Sequence, residues 1–148
     1  MSEVRELVEQ LAARFSGEPK NEEDGTFTVE AETPDGERVP VSVYGETIDD
    51  GPATGTLVVM MRASAGEEIE VIEDLADPLE VLALGASTWF ARLYYEPETT
   101  SLVAEAALPL AGLRYEEAVQ AMIEVAELAL AGNDLVAGDE EDEDEGEG

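Results

Sequence analysis

Carboxylates are the side chains with the greatest potential for chemistry in this chain. Its 148 residues include 37 Asp and Glu against 7 Lys and Arg, and neither His nor Cys is present. This absence excludes thiolate nucleophiles, Ser-His-Asp triads, disulfides and the usual ligands of zinc and of iron–sulfur clusters. Acid–base catalysis would need a carboxylate pair such as Glu96 and Glu98, and a hard cation would need carboxylates such as those of Asp49 and Asp50. Both patterns are ordinary in so acidic a chain, so we predict no catalytic residue, no cofactor and no metal ligand.

The net charge of −30 indicates the kind of solvent in which the protein folds. Like charges repel one another over ~8 Å in ordinary buffer but over only ~3 Å near molar salt. The composition is typical of halophiles that accumulate salt, and we expect concentrated K⁺ or Na⁺ to support the fold. Nucleic acid is not an expected partner, because the chain has no basic stripe that could neutralise phosphates.

Composition divides the chain into one domain and a tail. Residues 1–133 are expected to form a single domain, whereas every residue from Asp139 to Gly148 is Asp, Glu or Gly. We expect residues 134–148 to be a disordered acidic tail that serves solvation, attracts basic partners or binds cations loosely. No apolar run is long enough to cross a bilayer and the N-terminus is unlike a signal peptide, so we expect a cytoplasmic protein without membrane contact.

Hydrophobic periodicity predicts the N-terminal elements. Apolar side chains recur at helical spacing over residues 3–15, which indicates an amphipathic helix. Residues 27–31 and 39–43 alternate apolar and polar side chains around Pro34-Asp35-Gly36, which is typical of an antiparallel hairpin. Pro40 favours an edge position for the second of these strands.

The middle of the chain is less regular. Residues 56–63 are almost continuously apolar, which favours a strand in the sheet centre that is covered on both faces. Residues 66–77 fit either a helix or a strand, and the helix is favoured. Pro78 then suits the first turn of a short helix over residues 79–84.

Aromatic residues mark the C-terminal half. Residues 89–95 and 101–108 are typical of a second hairpin, and a long amphipathic helix over residues 115–131 follows, with Gly132 just past its end. Glu124 is expected on the solvent side of that helix. One face of the first strand carries Trp89, Ala91, Leu93 and Tyr95, and the other carries Phe90, Arg92 and Tyr94.

These elements predict an α+β two-layer sandwich of order α-β-β-β-α-β-β-α, with an antiparallel sheet and helices mainly on one face. The chain resembles the YbjN-type family of sensory transduction regulators, in a halophile version. The resemblance is carried by the PLEVLAL segment at 78–84, the aromatic strand at 89–95, the LVAEAALPL segment at 102–110 and the last helix. It implies the fold of type III secretion chaperones and a non-catalytic, commonly dimeric domain that holds an extended segment of another protein.

Five residues are candidates for partner contacts: Tyr44, Trp89, Phe90, Arg92 and Tyr94. Aromatic side chains on a sheet can anchor a partner, but alternate positions of any sheet must also fill a core, and both interpretations stay open. Because one helix layer covers a single face, some of Tyr44, Phe90 and Tyr94 should be exposed or meet a second subunit. Arg92 and Arg62 could contact a carboxylate at an interface or pair with a neighbouring Glu.

The function predicted from the sequence is therefore a protein-binding domain, chaperone-like or adaptor, that forms a homodimer and is not an enzyme. Its partner would be a segment of another protein or a second copy of the chain. Two alternatives remain. One is a small-molecule or cation sensor on the same fold, and the other is a carboxylate-based enzyme.

Overall fold

The computed structural model describes residues 2–15, 17, 19–21, 25–75 and 77–136. Single turns of 3₁₀ helix lie at Ile72–Asp74 and Gly85–Ser87. The helices and strands, in chain order, are α1 (Ser2–Arg14), β1 (Lys20–Asn21), β2 (Phe27–Glu32), β3 (Arg38–Thr47), β4 (Leu57–Gly66), α2 (Pro78–Leu84), β5 (Ala91–Glu96), β6 (Ser101–Pro109) and α3 (Tyr115–Asp134).

The described strands form one antiparallel sheet with the order β1-β2-β3-β4-β6-β5. The β2–β3 hairpin turns through Pro34-Asp35-Gly36 as predicted, and β5 and β6 form the second predicted hairpin. The α+β sandwich is confirmed, with one addition. The two-residue strand β1 lies in a polar stretch that has no alternating pattern, and it pairs with β2 through Lys20 and Asn21.

The hydrophobic core lies between one face of the sheet and the helices α1 and α3. Helix α1 packs on β2 and β3, while α3 crosses the sheet and contacts β2 to β6. The sheet contributes small side chains to this core, mostly Val and Ala, so the long helix approaches closely. The helices cover mainly one side of the sheet, as predicted. We call the opposite side the open face, and its residues include Tyr44, Arg62, Arg92 and Tyr94.

Gly132 shows how closely α3 approaches the sheet. The sequence pattern placed it just past the helix end, but α3 continues through it to Asp134. A Cβ at this position would lie 2.7 Å from the backbone oxygen of Ala65 and 2.8 Å from the Ala65 Cβ. The glycine is therefore a packing residue rather than a helix terminator, because only a missing side chain lets the helix and β4 meet.

Two strand expectations need correction. Strand β3 lies inside the sheet, but its register with β4 ends at Ser42 and Arg62. Pro40 therefore sits in the part of β3 that pairs with β2 alone, where a missing N–H costs little. Strand β4 is central as predicted, yet only one face is covered, since Met61 is buried and Met60 is partly exposed.

The helix expected over residues 66–77 is wrong except for one 3₁₀ turn. The Asp74 carboxylate accepts hydrogen bonds from the backbone N–H groups of Glu70 at 2.8 Å and Val71 at 3.3 Å, which closes a tight turn. Ile69 is buried and its N–H donates to the Thr100 oxygen. These tertiary contacts tie the segment to the β5–β6 turn and outweigh the weak helical pattern.

Candidate functional site

The most exposed large apolar side chains lie on α2 and on the loop that joins α2 to β5, which together we call the 79–90 segment. Trp89 is 85% exposed, Leu82 77% and Leu79 76%, and Phe90 is also exposed. This segment is a candidate contact surface, because it gathers several exposed large apolar side chains within a short stretch of chain.

The local sequence explains why α2 presents leucines to solvent. Pro78 occupies the first turn, and the Asp77 carboxylate caps the helix by accepting from the Glu80 N–H at 3.3 Å. The helix has only seven residues, and of these Val81 alone is buried. The predicted short helix is confirmed. Because Val81 alone forms its buried face, Leu79 and Leu82 face the solvent.

The strand predicted over 89–95 begins two residues late. From Ala91 onward the expected alternation holds, with Ala91 buried and Leu93 half-buried towards the core. Trp89 and Phe90 precede the strand in a bend, and their side chains project from that bend instead of joining the two faces of β5. Core packing is therefore the wrong interpretation for Trp89.

A buried carboxylate on α3 holds this bend in place. Glu124 is only 4% exposed, although its sequence position predicted the solvent side. Its oxygens accept from three successive backbone N–H groups, those of Trp89 at 3.0 and 3.1 Å, Phe90 at 2.7 Å and Ala91 at 3.0 Å. The Gln120 amide donates a further hydrogen bond at 2.8 Å. Burial raises the pKa of Glu124, but these hydrogen bonds outweigh burial and lower the pKa below its usual value.

The open face carries a second set of candidates around Glu105, a carboxylate that is also 4% exposed. Arg92 donates to Glu105 Oε1 from Nε at 3.2 Å and from Nη2 at 2.7 Å. Arg62 lies 3.5 Å from Glu105 Oε2 and donates to Glu96 at 3.0 Å and to the Tyr94 hydroxyl at 2.5 Å. The Tyr94 ring lies 5.9 Å from the Arg62 guanidinium and 5.4 Å from that of Arg92. The two arginines thus pair with neighbouring glutamates, which was one of the two expectations.

The surroundings raise the pKa of two members of this cluster, Arg62 and Tyr94. Burial lowers the pKa of Arg62, but Tyr44, Tyr94 and Glu96 beside it outweigh burial and hold the pKa above its usual value. Burial and the Glu105 charge raise the pKa of the Tyr94 hydroxyl, which therefore stays protonated. With two arginines and two glutamates, the cluster is neutral as a unit within a strongly acidic protein.

Two concave regions adjoin these residues. A shallow trough of about 910 Å³ on the open face is lined by Tyr44 and Arg62 among others. A smaller cavity of about 320 Å³ lies between α2 and β5, and its lining is mainly apolar. The lining of the smaller cavity includes Leu75, Pro78, Val81, Leu82, Leu93 and Tyr95.

The predicted site residues therefore fall into two groups. Trp89 and Phe90 belong to the exposed 79–90 segment, whereas Tyr44, Arg92 and Tyr94 lie on the open face. Leu79, Leu82 and Glu124 were missed. An outward leucine pair in a seven-residue helix was a detectable signal, while the role of Glu124 depends on a contact between residues 33 to 35 positions apart.

Within the described residues, no group of three or more Asp or Glu side chains is arranged to hold a metal ion. No helix of the described chain combines the length and apolarity that a membrane span requires. The tail predicted from residue 134 onward lies mostly outside the described residues, which end at Val136.

Comparisons with known proteins show the fold and no family. No protein-family model matches the sequence. No curated protein is significantly similar to it. A chain in the crystal structure of the ExsC–ExsE complex has a similar fold, with a TM-score of 0.56 and 16% identity over 91% of this chain and 94% of that one. At this level of identity the likeness shows the fold alone, and it does not show the YbjN-type family.

Proposed function

We propose that this chain is a non-catalytic protein-binding domain, chaperone-like or adaptor, that uses the 79–90 segment to hold a segment of another protein. The observation that carries the proposal is the exposure of Trp89, at 85%, together with that of Leu79 and Leu82 in the same segment of chain. A tryptophan side chain buries about 150–250 Å², so covering this one would contribute about 4 kcal/mol at ~25 cal/mol per Å². A few such anchors account for most of the affinity of a typical interface.

The chemistry of the partner follows from the surroundings of the segment. Strand β5 lies at the sheet edge and pairs with β6 alone among the described strands. Its other edge adjoins the apolar cavity of about 320 Å³. An extended segment with apolar side chains at alternate positions can pair with such an edge while its side chains fill the cavity. We therefore propose an extended apolar segment as the partner.

The solvent favours apolar recognition. In the high-salt cytoplasm that the charge of −30 suggests, electrostatic attraction is screened beyond ~3 Å, whereas burial of apolar surface does not depend on charge. A binding surface that relies on Trp89 and two leucines keeps its strength under these conditions. Tyr44, Arg92 and Tyr94 are proposed as further partner contacts on the open face, where their neutral cluster avoids repulsion.

The fold similarity supports protein binding, since the similar chain belongs to a complex of two proteins. We also propose that the domain forms a homodimer and that its relatives are the YbjN-type proteins. Both proposals rest on the residues quoted for that resemblance.

Co-purification at molar KCl tests the function. The tagged wild-type chain, a Trp89→Ala and Leu82→Ser double variant, and Tyr115→Ala are compared in native lysate of the source organism. Tyr115 is an aromatic residue of similar kind, 38% exposed at the start of α3. A protein recovered in stoichiometric amount by the wild type and by Tyr115→Ala is expected to be lost from the double variant. The purified pair should then bind with at least tenfold weaker affinity in the double variant, and equal affinity would contradict the proposal. Sedimentation of each chain alone tests the homodimer.

A further inference from the structure

The bend before β5 has an unusual hydrogen-bonding partner. Backbone N–H groups outside helices and strands are satisfied by backbone, side-chain or water acceptors. Here three successive N–H groups, from Trp89 to Ala91, all donate to the carboxylate of Glu124. This residue lies on helix α3, 33 to 35 positions further along the chain. A buried carboxylate is costly unless donors satisfy its oxygens, and those of Glu124 accept from four donor groups, one of which, the Trp89 N–H, is shared between both oxygens.

A second contact restrains the same bend. The Thr88 hydroxyl lies 3.1 Å from the Gly85 oxygen and 2.6 Å from the Ala91 oxygen, so it bridges the two ends of the loop. The backbone of residues 88–91 is thus held from both sides. By contrast, no hydrogen bond within the described residues is made by the Trp89 indole, which stays exposed. The backbone is fixed while the side chain remains available.

We propose that Glu124 is a positioning residue for the partner-binding surface, which fixes the 88–91 backbone so that Trp89 and Phe90 project outward before a partner arrives. That Glu124 serves partner binding rests on the proposed function. That Glu124 immobilises the 88–91 backbone does not depend on it. Fixing a loop in its bound conformation removes part of the entropy cost of association. The Gln120 amide serves this role indirectly, because it orients the Glu124 carboxylate.

Trp89 itself provides the test, because it is the only tryptophan in the chain. Time-resolved fluorescence anisotropy of the full chain at molar KCl separates fast local motion of the indole from overall tumbling. In Glu124→Gln the side chain keeps its size, but an amide N–H₂ replaces one of the accepting oxygens. We expect the amplitude of the fast phase to rise at least twofold in this variant.

Glu127→Gln is the matched control. It removes the same charge from the same helix at an exposed position that also lies beside Trp89. Among the described residues, Glu127 accepts no hydrogen bond from the loop. It should leave the anisotropy decay at the wild-type value. If Glu124→Gln does not fold, Gln120→Ala takes its place, with a smaller rise expected because the carboxylate keeps its backbone donors.

The anisotropy readout separates positioning from a general structural role. If the carboxylate only stabilised the fold, its removal would lower the unfolding midpoint and leave the indole motion unchanged well below that midpoint. The inference would be overturned if Glu124→Gln folds and shows wild-type anisotropy. If Glu124→Gln does not fold, wild-type anisotropy in a folded Gln120→Ala would overturn it instead. The anisotropy measurement needs no partner, so it can be judged separately from the proposed function. Faster indole motion in Glu124→Gln, combined with unchanged partner binding by the Trp89→Ala and Leu82→Ser double variant, would contradict the proposed function and leave the positioning role of Glu124 intact.

Discussion

Glu105 and Glu124 are the buried carboxylates of the described chain, and they are stabilised in different ways. Glu105 is neutralised by two arginines on the open face, whereas Glu124 is surrounded by N–H donors that carry no net charge. An ion pair of this kind joins neighbouring strands of the sheet. The second arrangement connects helix α3 to the bend that precedes β5.

The pH dependence of stability should reveal the Glu124 contacts. Its folded-state pKa is lowered, so its contribution to stability is complete above the ordinary carboxyl pKa and is lost as the pH falls through the folded-state value. At pH 7 we expect Glu124→Gln to unfold with ~2 kcal/mol less free energy than the wild type, since hydrogen bonds to a charged group are worth about 1.5–3 kcal/mol.

This gap in unfolding free energy should narrow as the pH is lowered from about 5 towards 3. Urea unfolding of the wild type and of Glu124→Gln at molar KCl measures this difference in unfolding free energy. The other carboxylates titrate in both proteins, so their contributions cancel in the difference. Glu127→Gln should show no such gap at any pH. A gap that is constant from pH 7 to pH 3 would contradict the ionised state assigned to Glu124.

Among the elements, the contact between α3 and β4 depends on one glycine. Gly132→Ala would place a methyl group 2.7 Å from the Ala65 oxygen. Crowding of this kind costs about 1–3 kcal/mol, while alanine regains about 1 kcal/mol of helix propensity. We expect a net loss of ~1–2 kcal/mol, visible as a lower thermal midpoint.

Gly85→Ala is the control for that variant. Gly85 has φ of −70° and its Cβ would meet no atom within 4 Å, so alanine should fit without strain. Its midpoint should equal that of the wild type or exceed it slightly. Equal midpoints for Gly132→Ala and Gly85→Ala would show that the helix does not approach β4 as closely as described.

The same elements show what the sequence could and could not predict. Strand β2 and helix α3 have regular periodicity with one buried face each, so their type and position were predictable. Residues 66–77 were not, because the Asp74 turn and the Ile69 backbone contacts are tertiary. The prediction that Trp89 lies in the strand was wrong for a similar reason. The N–H groups of Trp89 and Phe90 donate to the Glu124 carboxylate, so these two residues form a bend and β5 begins only at Ala91.

The whole molecule carries a charge that should govern its stability in salt. Among residues 1–138 there are 29 acidic and 7 basic side chains, so repulsion is spread over the domain. Screening shortens its range from ~10 Å at 0.1 M salt to ~3 Å at 1 M. We expect the thermal midpoint to rise by at least 10 °C between 0.1 and 2 M KCl.

Circular dichroism across a KCl series measures this midpoint. Sucrose at matched water activity is the control, because it excludes itself from the surface but does not screen charge. A midpoint that is independent of KCl, or that responds equally to sucrose, would contradict the salt-adapted interpretation.

The central claim is that the 79–90 segment is the partner-binding surface, and site-specific photo-crosslinking tests it most directly. A benzophenone side chain is placed at position 89 in one chain and at position 115 in another, and each is irradiated in native lysate at molar KCl. We expect a discrete crosslinked protein from position 89 and none from position 115. Crosslinks of equal yield from both positions, or none from position 89 when a partner co-purifies, would contradict it.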